Sequence, residues 1–449
     1  MTVSETERER STEKAVQALY AADAEREWGR LERHRTEFAV TLRALEQHLP
    51  GAPAQILDCG GGPGRYAITL AQRGYRVTLF DLSPDLLSMA RQRAADAGVE
   101  LVDFDQGTAT DLSRYPDAQF DAVLLMGPLY HLLNGDDRRK ALAEAYRVTK
   151  PGGVVFAAFI ARYAAHIDAL SGYPDLPTSD PGQLAEYQQI AASGLLPPRA
   201  DGQVAFTAYF AHPNEVRPLC ESAGLDLIEL LAAEGLASGR EDQLNALEGN
   251  AWDFWVNVNA TVSRDPSVLG GAEHLIAVCR RPRWRSVLRQ IAAAAAEHEL
   301  DYRIVGGTAL ALRGLPVPVH DVDVEFPATA IDDAYRLERL LEGEIILQVS
   351  WRESESYRSH FGRMIVDGVA VEIMAGLERR VGERWMPSFL TTDEVVWFEG
   401  LQVRTLALEE EALAYLRAGR LDRAAAVLPH CEAGLLRLHL SGAVRHGLL

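Results

Sequence analysis

The run Asp58-Cys-Gly60-Gly61-Gly62-Pro63-Gly64 constrains this chain more than any other stretch. It follows an apolar strand at residues 55–57 and precedes Tyr66-Ala-Ile-Thr-Leu70, whose apolar spacing is helical. Strand, glycine turn and helix in that order make a βα unit. Glycines at such a turn permit positive φ and let a ligand lie against bare backbone. A second acid, Asp81, closes the next strand about 20 residues on, where a carboxylate can accept from ribose hydroxyls. The spacing acid-x-G-x-G-x-G differs from the G-x-G-x-x-G that seats a pyrophosphate on a helix N-terminus. The pocket is therefore expected to hold a nucleoside without phosphates.

The surroundings repeat the βα pattern. Short apolar runs at 76–80, 99–104, 122–126 and 154–159 alternate with amphipathic segments, which predicts a parallel sheet wrapped by helices. Ser83-Pro84-Asp85 supplies a capping serine followed by proline at the first helical position. Ahead of the glycine loop, Trp28, Leu31, Phe38, Leu42, Leu45 and Leu49 share one helical face. Residues 165–202, rich in Gly, Pro, Ser and Asp, read as an insertion or lid. Alternation resumes with strands at 204–210, 227–231 and 274–278 and a helix at 214–223.

Arg280-Arg-Pro-Arg-Trp-Arg285 has the composition of an exposed connector, which places a boundary near 283 and units at 1–282 and 283–449. The second unit is again α/β. It shows a helix through 292–296, strands at 302–305, 322–326, 344–349, 363–366 and 369–374, and helical spacing over 408–428.

Charge and cysteine usage narrow the partners. With 45 Lys and Arg against 64 Asp and Glu, the net charge of −19 opposes a polyphosphate backbone, so nucleic acid is disfavoured. The four cysteines form no C-x-x-C pair and suggest neither zinc nor a disulfide framework. No apolar run reaches the roughly 18 to 20 residues of a membrane span, and the charged N-terminus is unlike a secretory signal. A cytoplasmic protein without membrane contact is expected.

The glycine loop, Asp81, Gln106-Gly-Thr-Ala109, Phe120-Asp-Ala-Val-Leu-Leu-Met-Gly-Pro-Leu-Tyr-His-Leu132 and Lys150-Pro-Gly-Gly153 occur in that order. In these elements residues 1–282 resemble a class I S-adenosylmethionine-dependent methyltransferase. The resemblance implies a Rossmann-like domain with S-adenosylmethionine as cofactor. Gly60, Gly62 and Gly64 would contact its methionine moiety, Asp81 the ribose, and the turn with Thr108 and Ala109 the adenine, with Asp58 and Met126 as further cofactor-binding residues. The family often carries an acid where Thr108 stands, which leaves the adenine contact to backbone. The acceptor is expected to be a small molecule. His131, at the carboxyl edge of the sheet with Tyr130 beside it, is the candidate base. Tyr20, Trp28, His34, Tyr209, Trp252 and Trp255 are candidate walls for an apolar or heteroaromatic acceptor.

A second glycine pair, Gly306-Gly307, stands between an apolar strand and a helix-like stretch, and His320-Asp-Val-Asp-Val-Glu325 opens a strand. Alternation puts Asp321 and Asp323 on one face with Val322 toward the core. Paired carboxylates of this kind suit Mg²⁺ shared with phosphate oxygens, and Glu372, within a later strand, is a third acid. These elements, across about 300–428, resemble the nucleotidyltransferase fold, giving a smaller α/β nucleotidyltransferase-like domain behind the first. The resemblance implies that Gly306, Gly307 and Thr308 hold a nucleoside triphosphate, that Asp321 and Asp323 carry Mg²⁺, and that Glu372 activates an acceptor hydroxyl. Arg417 stands where some relatives have a phosphate-binding lysine. Two rivals accompany this reading: nucleotidyl transfer as the main activity, and a C-terminal half that only binds or regulates.

Overall fold

The computed structural model describes residues 17, 24–175, 181–196, 206–315, 317–387 and 393–437. Tyr20, residues 176–180 and 197–202 of the expected insertion, and the start of the strand expected at 204 lie outside them. The chain divides into two compact units, Met1–Pro282 and Arg283–Leu449.

In the first unit, β1 (Gln55–Cys59), β2 (Arg76–Asp81), β3 (Asp103–Gln106), β4 (Phe120–Leu125) and β5 (Thr149–Ala161) pair in parallel in the order β3-β2-β1-β4-β5. A two-residue β6 (Leu195–Leu196) pairs with β7 (Ala208–Ala211), which joins the end of β5. Two antiparallel strands close the sheet, β9 (His274–Arg280) on β5 and β8 (Asp226–Ala232) on β9. The central strands are buried on both faces, as parallel strands are when helices cover both sides. Ile56, Leu124 and Phe156 feed one core layer while Leu57, Val123, Leu125 and Phe159 feed the other. Because strand order reverses at β1, a crevice opens at the carboxyl ends of β1 and β4.

Around this sheet lie α1 (Arg35–His48), α2 (Arg65–Gln72), α3 (Pro84–Asp96) and α4 (Gly135–Val148). Ser83 caps α3 as expected, its hydroxyl accepting from the Leu86 N–H at 3.3 Å. The leading helix is broken into Ala24–Trp28, Arg30–Arg33 and α1, with Gly29 and His34 at the joints. The third strand begins later than the residues at 99–104 suggest. Gly98, at φ +67, and the Val99 N–H bonded to the Ala94 carbonyl are still closing α3. The 165–202 segment contains helices Ala164–Gly172 and Pro181–Ser193 in its described part.

The second unit is a mixed sheet in the order β12-β13-β14-β11-β10-β17-β16. Its strands are β10 (Arg303–Val305), β11 (Asp321–Phe326), β12 (Glu344–Glu353), β13 (Tyr357–Val366), β14 (Val369–Val381), β15 (Arg384–Pro387), β16 (Asp393–Phe398) and β17 (Leu401–Leu406). One face packs on α5 (Arg283–Glu297) and α7 (Ile331–Leu340), with α6 (Gly306–Leu312) between β10 and β11. Helices α8 (Leu408–Arg417) and α9 (Leu421–Val427) follow. The β16–β17 hairpin was not expected. Glu399 and Gly400, both at positive φ, make its turn.

Candidate functional site

A cavity opens at the carboxyl ends of β1, β2 and β4. Asp58, Gly60, Gly62, Asp81, Thr108, Ala109, Met126 and His131 all line it, together with Glu27, Arg30 and Tyr130. The glycines earn their places differently. A Cβ at Gly60 would lie 2.4 Å from the Pro128 ring, and one at Gly61 2.6 Å from the Asp58 carboxylate. Only at Gly62, φ +54, would a Cβ find open space, its nearest neighbour being Leu86 at 3.8 Å. Gly64 departs from the expectation of a ligand contact. It is absent from the cavity wall and caps α2 in a left-handed conformation, its missing Cβ pointing at Ala90 on α3.

Asp81 organises this loop. One of its oxygens accepts from the Gly62 N–H and the other from the Ser83 N–H, each at 2.8 Å. Asp58 is the opposite case. Both of its oxygens are buried, the Ala67 N–H is the backbone group that favours its charged form, and among the described residues no cation pairs with it. Burial and the neighbouring Asp81 push its carboxyl up to about 7. A buried carboxyl left unpaired is costly unless a ligand satisfies it.

His131 is held by the turn at Pro128–His131 and lies edge-on to Tyr130, their rings 4.7 Å apart. Burial drives its imidazole down to about 4, so at neutral pH it is uncharged. Arg138 fastens the following loop, donating to the Leu132 and Leu133 carbonyls and lying 3.6 Å over the Tyr209 ring.

None of Trp28, His34, Tyr209, Trp252 and Trp255 lines this cavity, so the expected aromatic acceptor wall does not form there among the described residues. Arg65 and Arg93 stack on Trp28, and Arg35 covers Trp252 at 4.0 Å. The Tyr209 hydroxyl donates to Glu215 at 2.7 Å, His34 pairs with Glu241, and Trp255 is exposed. The cavity wall instead includes Arg30, which grips Glu37 through two bonds of 2.7 and 2.8 Å. Behind it, His274 bonds Glu234 at 2.5 Å and lies 3.8 Å from Glu37. Against burial, which would lower it, Glu37 and Glu234 raise His274 to about 9. Sequence reading missed this cluster, whose members come from segments far apart in the chain.

In the second unit the register does the assembling. Asp323 pairs with Val305 on one side and with Glu372 on the other, so the glycine loop and two carboxylates stand in one row across β10, β11 and β14. Gly306, at φ +70, passes so close to Asp323 that a Cβ there would lie 2.4 Å from its carboxylate. Burial first, then Asp321, Glu372 and Glu411, push Asp323 up to about 8. Glu411 on α8, unanticipated from sequence, accepts from the Gly306 N–H at 2.8 Å and is raised to about 7 by burial.

Asp323, Gly306, Glu372 and Glu411 line a groove. Asp321, Gly307 and Thr308 are not among the residues that line it. The Thr308 hydroxyl is spent on the Asp321 carbonyl at 2.8 Å, and Gly307 faces the Pro318 carbonyl. Glu372 is held by Arg363, directly opposite it on β13.

Comparisons agree with this division. A family model described as a methyltransferase domain matches residues 56–153, and one described as aminoglycoside-2''-adenylyltransferase matches residues 287–425. A ubiquinone biosynthesis O-methyltransferase of Azoarcus sp. (strain BH72) is 32% identical over 192 residues, which is 42% of this chain and 72% of that protein. A demethylmenaquinone methyltransferase of Thermus thermophilus is 40% identical over 113 residues, covering 25% of this chain and about half, 49%, of that protein. A Thermotoga maritima chain described as a candidate nucleotidyltransferase is 30% identical, with a TM-score of 0.29 over 33% of this chain and 92% of its own. The chain thus belongs to the S-adenosylmethionine-dependent methyltransferases and carries a nucleotidyltransferase-like second unit.

Proposed function

We propose that the first cavity binds S-adenosylmethionine with Asp58 facing its ammonium group, Asp81 its ribose and the backbone at 107–109 its adenine. The observation that carries this is the buried Asp58 carboxyl, with no cation paired to it among the described residues, beside open space at Gly62. A donor ammonium gives Asp58 the charge partner that the protein does not provide. The bound cofactor supplies an electrophilic methyl carbon on a sulfonium.

What remains for the chain is orientation, exclusion of water and removal of one proton from the acceptor. The acceptor's heteroatom forms the new C–heteroatom bond as the C–S bond breaks, and neutral His131 takes the proton. Because burial lowers its imidazole to about 4, His131 is unprotonated throughout the neutral range and able to accept a proton, as a weaker base than an exposed imidazole. The acceptor is a small molecule. Its identity is read by incubating metabolite extracts with labelled methyl donor and mass-analysing the products. Asp58→Asn and Gly62→Arg are expected to abolish labelling, and full labelling by either variant removes this site.

For the second unit we propose nucleotidyl transfer to a hydroxyl. Asp321 and Asp323 would hold Mg²⁺, which neutralises phosphate charge there. Burial first, and the neighbouring carboxylates after it, lift Asp323 to about 8, and a bound cation relieves both by stabilising the charged form. Glu372 is placed to take the acceptor proton once it leaves Arg363, while the acceptor oxygen bonds to the α-phosphorus and pyrophosphate departs. Calorimetric titration with MgATP tests this. Binding that disappears in Asp323→Asn is expected, and unchanged binding in that variant defeats it.

A further inference from the structure

The groove of the second unit extends well beyond its carboxylate row. On β14, Glu372 and Met374 face it, and so do Leu377, Arg379 and Val381. Strict alternation would turn the second set to the other side. A bulge between the Arg358–Glu378 and His360–Ala375 pairs, at Gly376 with φ +60, shifts the parity and brings Arg379 onto the face of Glu372. Arg417 on α8 lines the same stretch. Its Nε donates to the Leu413 carbonyl at 3.1 Å, but both terminal nitrogens are buried and, among the described residues, without a partner. Burial depresses its charged form. Glu410 opposes that, and Arg379 adds like-charge repulsion. Arg379 and Arg417 thus line one groove, and Arg417 carries unsatisfied donors. A buried guanidinium is stable only when its donors meet acceptors, and an anion between the two supplies them.

Resting on the reading of this unit as a nucleotidyltransferase, we propose that Arg379 and Arg417 form a subsite for an anionic group, a carboxylate or phosphate ester, on the acceptor. The Gly306 loop lies in the carboxylate row, whereas Arg379 stands further along β14, beyond the bulge at Gly376. A nucleotide whose phosphates occupy the glycine loop leaves this pair to the other reactant. At this subsite the two arginines disfavour a cationic group such as an aminoglycoside amine, although Asp323, Glu353, Glu372 and Glu411 line the same groove.

The test is calorimetry on the full chain, titrating inorganic phosphate with and without saturating MgATP, and kanamycin in parallel. Phosphate is expected to bind in both conditions and to weaken at least tenfold in Arg379→Gln and in Arg417→Gln. MgATP affinity should stay within about twofold in Arg379→Gln, and kanamycin should give no saturable heat. Arg417→Lys, which keeps the charge, should retain part of the phosphate binding and guards against simple misfolding. Phosphate binding unchanged in the variants, phosphate excluded by MgATP, or saturable kanamycin binding would each overturn the proposal. A tenfold loss of MgATP affinity in Arg379→Gln would assign the pair to the nucleotide and also overturn it. Failure of MgATP to bind the wild type, with phosphate still held by the arginines, removes the nucleotidyltransferase reading and leaves the anion subsite standing.

Discussion

Held at about 7 by burial and by Asp81, the Asp58 carboxyl is mostly protonated in the free protein at pH 6 and must lose its proton to face an ammonium group. Binding of S-adenosylmethionine at pH 6 is therefore expected to release a proton, read as buffer-dependent heat in calorimetry. Asp58→Asn should lose that release along with at least tenfold in affinity. The same group costs stability. Its folded value lies above the unfolded one of about 3.9, so stability falls as pH rises from about 4 to about 7. Asp58→Asn without ligand should accordingly melt higher than the wild type at pH 8. His274 has the opposite sign. Raised to about 9 by Glu37 and Glu234, it contributes stability that is complete below about 6.5 and lost as pH climbs through about 9. His274→Gln leaves buried Glu234 without its cationic partner, while Arg30 still holds Glu37, and should cost roughly 3 to 5 kcal/mol at pH 7 in denaturant melts. Asp58 could be found in the sequence because it adjoins the glycine run. His274 could not, because Glu37, Glu234 and His274 meet only through the packing of α1 on β9.

At the scale of elements, both glycine turns were legible from their strand-before and helix-after context, and so was the alternation of strands and helices around the first. What spacing could not resolve was which glycine serves the ligand. Gly60 yields to Pro128 and Gly64 to Ala90, while Gly62 alone borders open space. Gly60→Ala is therefore expected to lower the melting temperature markedly through its clash with Pro128. Gly62→Ala should cost only about 1 to 2 kcal/mol for its left-handed backbone and should chiefly weaken cofactor binding. The broken leading helix and the late start of β3 escaped sequence reading because Gly29, His34 and Gly98 act through backbone geometry that apolar periodicity does not record. In the second unit the Asp-x-Asp alternation correctly put Val322 in the core. Glu411 was hidden in the acidic first turn of α8, which reads as a solvated helix start until Gly306 is seen bonded to it.

For the whole molecule, the two units carry separate cores and separate sites. Among the described residues no helix is long and apolar enough to cross a membrane. Independence of the sites is expected in function: Asp323→Asn should leave methyl transfer within about twofold of wild type while removing MgATP binding, and Gly62→Arg should do the reverse. Coupled loss of both activities in either variant would show that the sites depend on one another. The claim on which the account stands is that the Asp58–Gly62 turn is a seat for a sulfonium nucleoside. Calorimetric titration of the full chain with S-adenosylmethionine addresses it most directly. The account predicts one saturable site that Gly62→Arg abolishes in a still-folded protein, and equal affinity in that variant would contradict it.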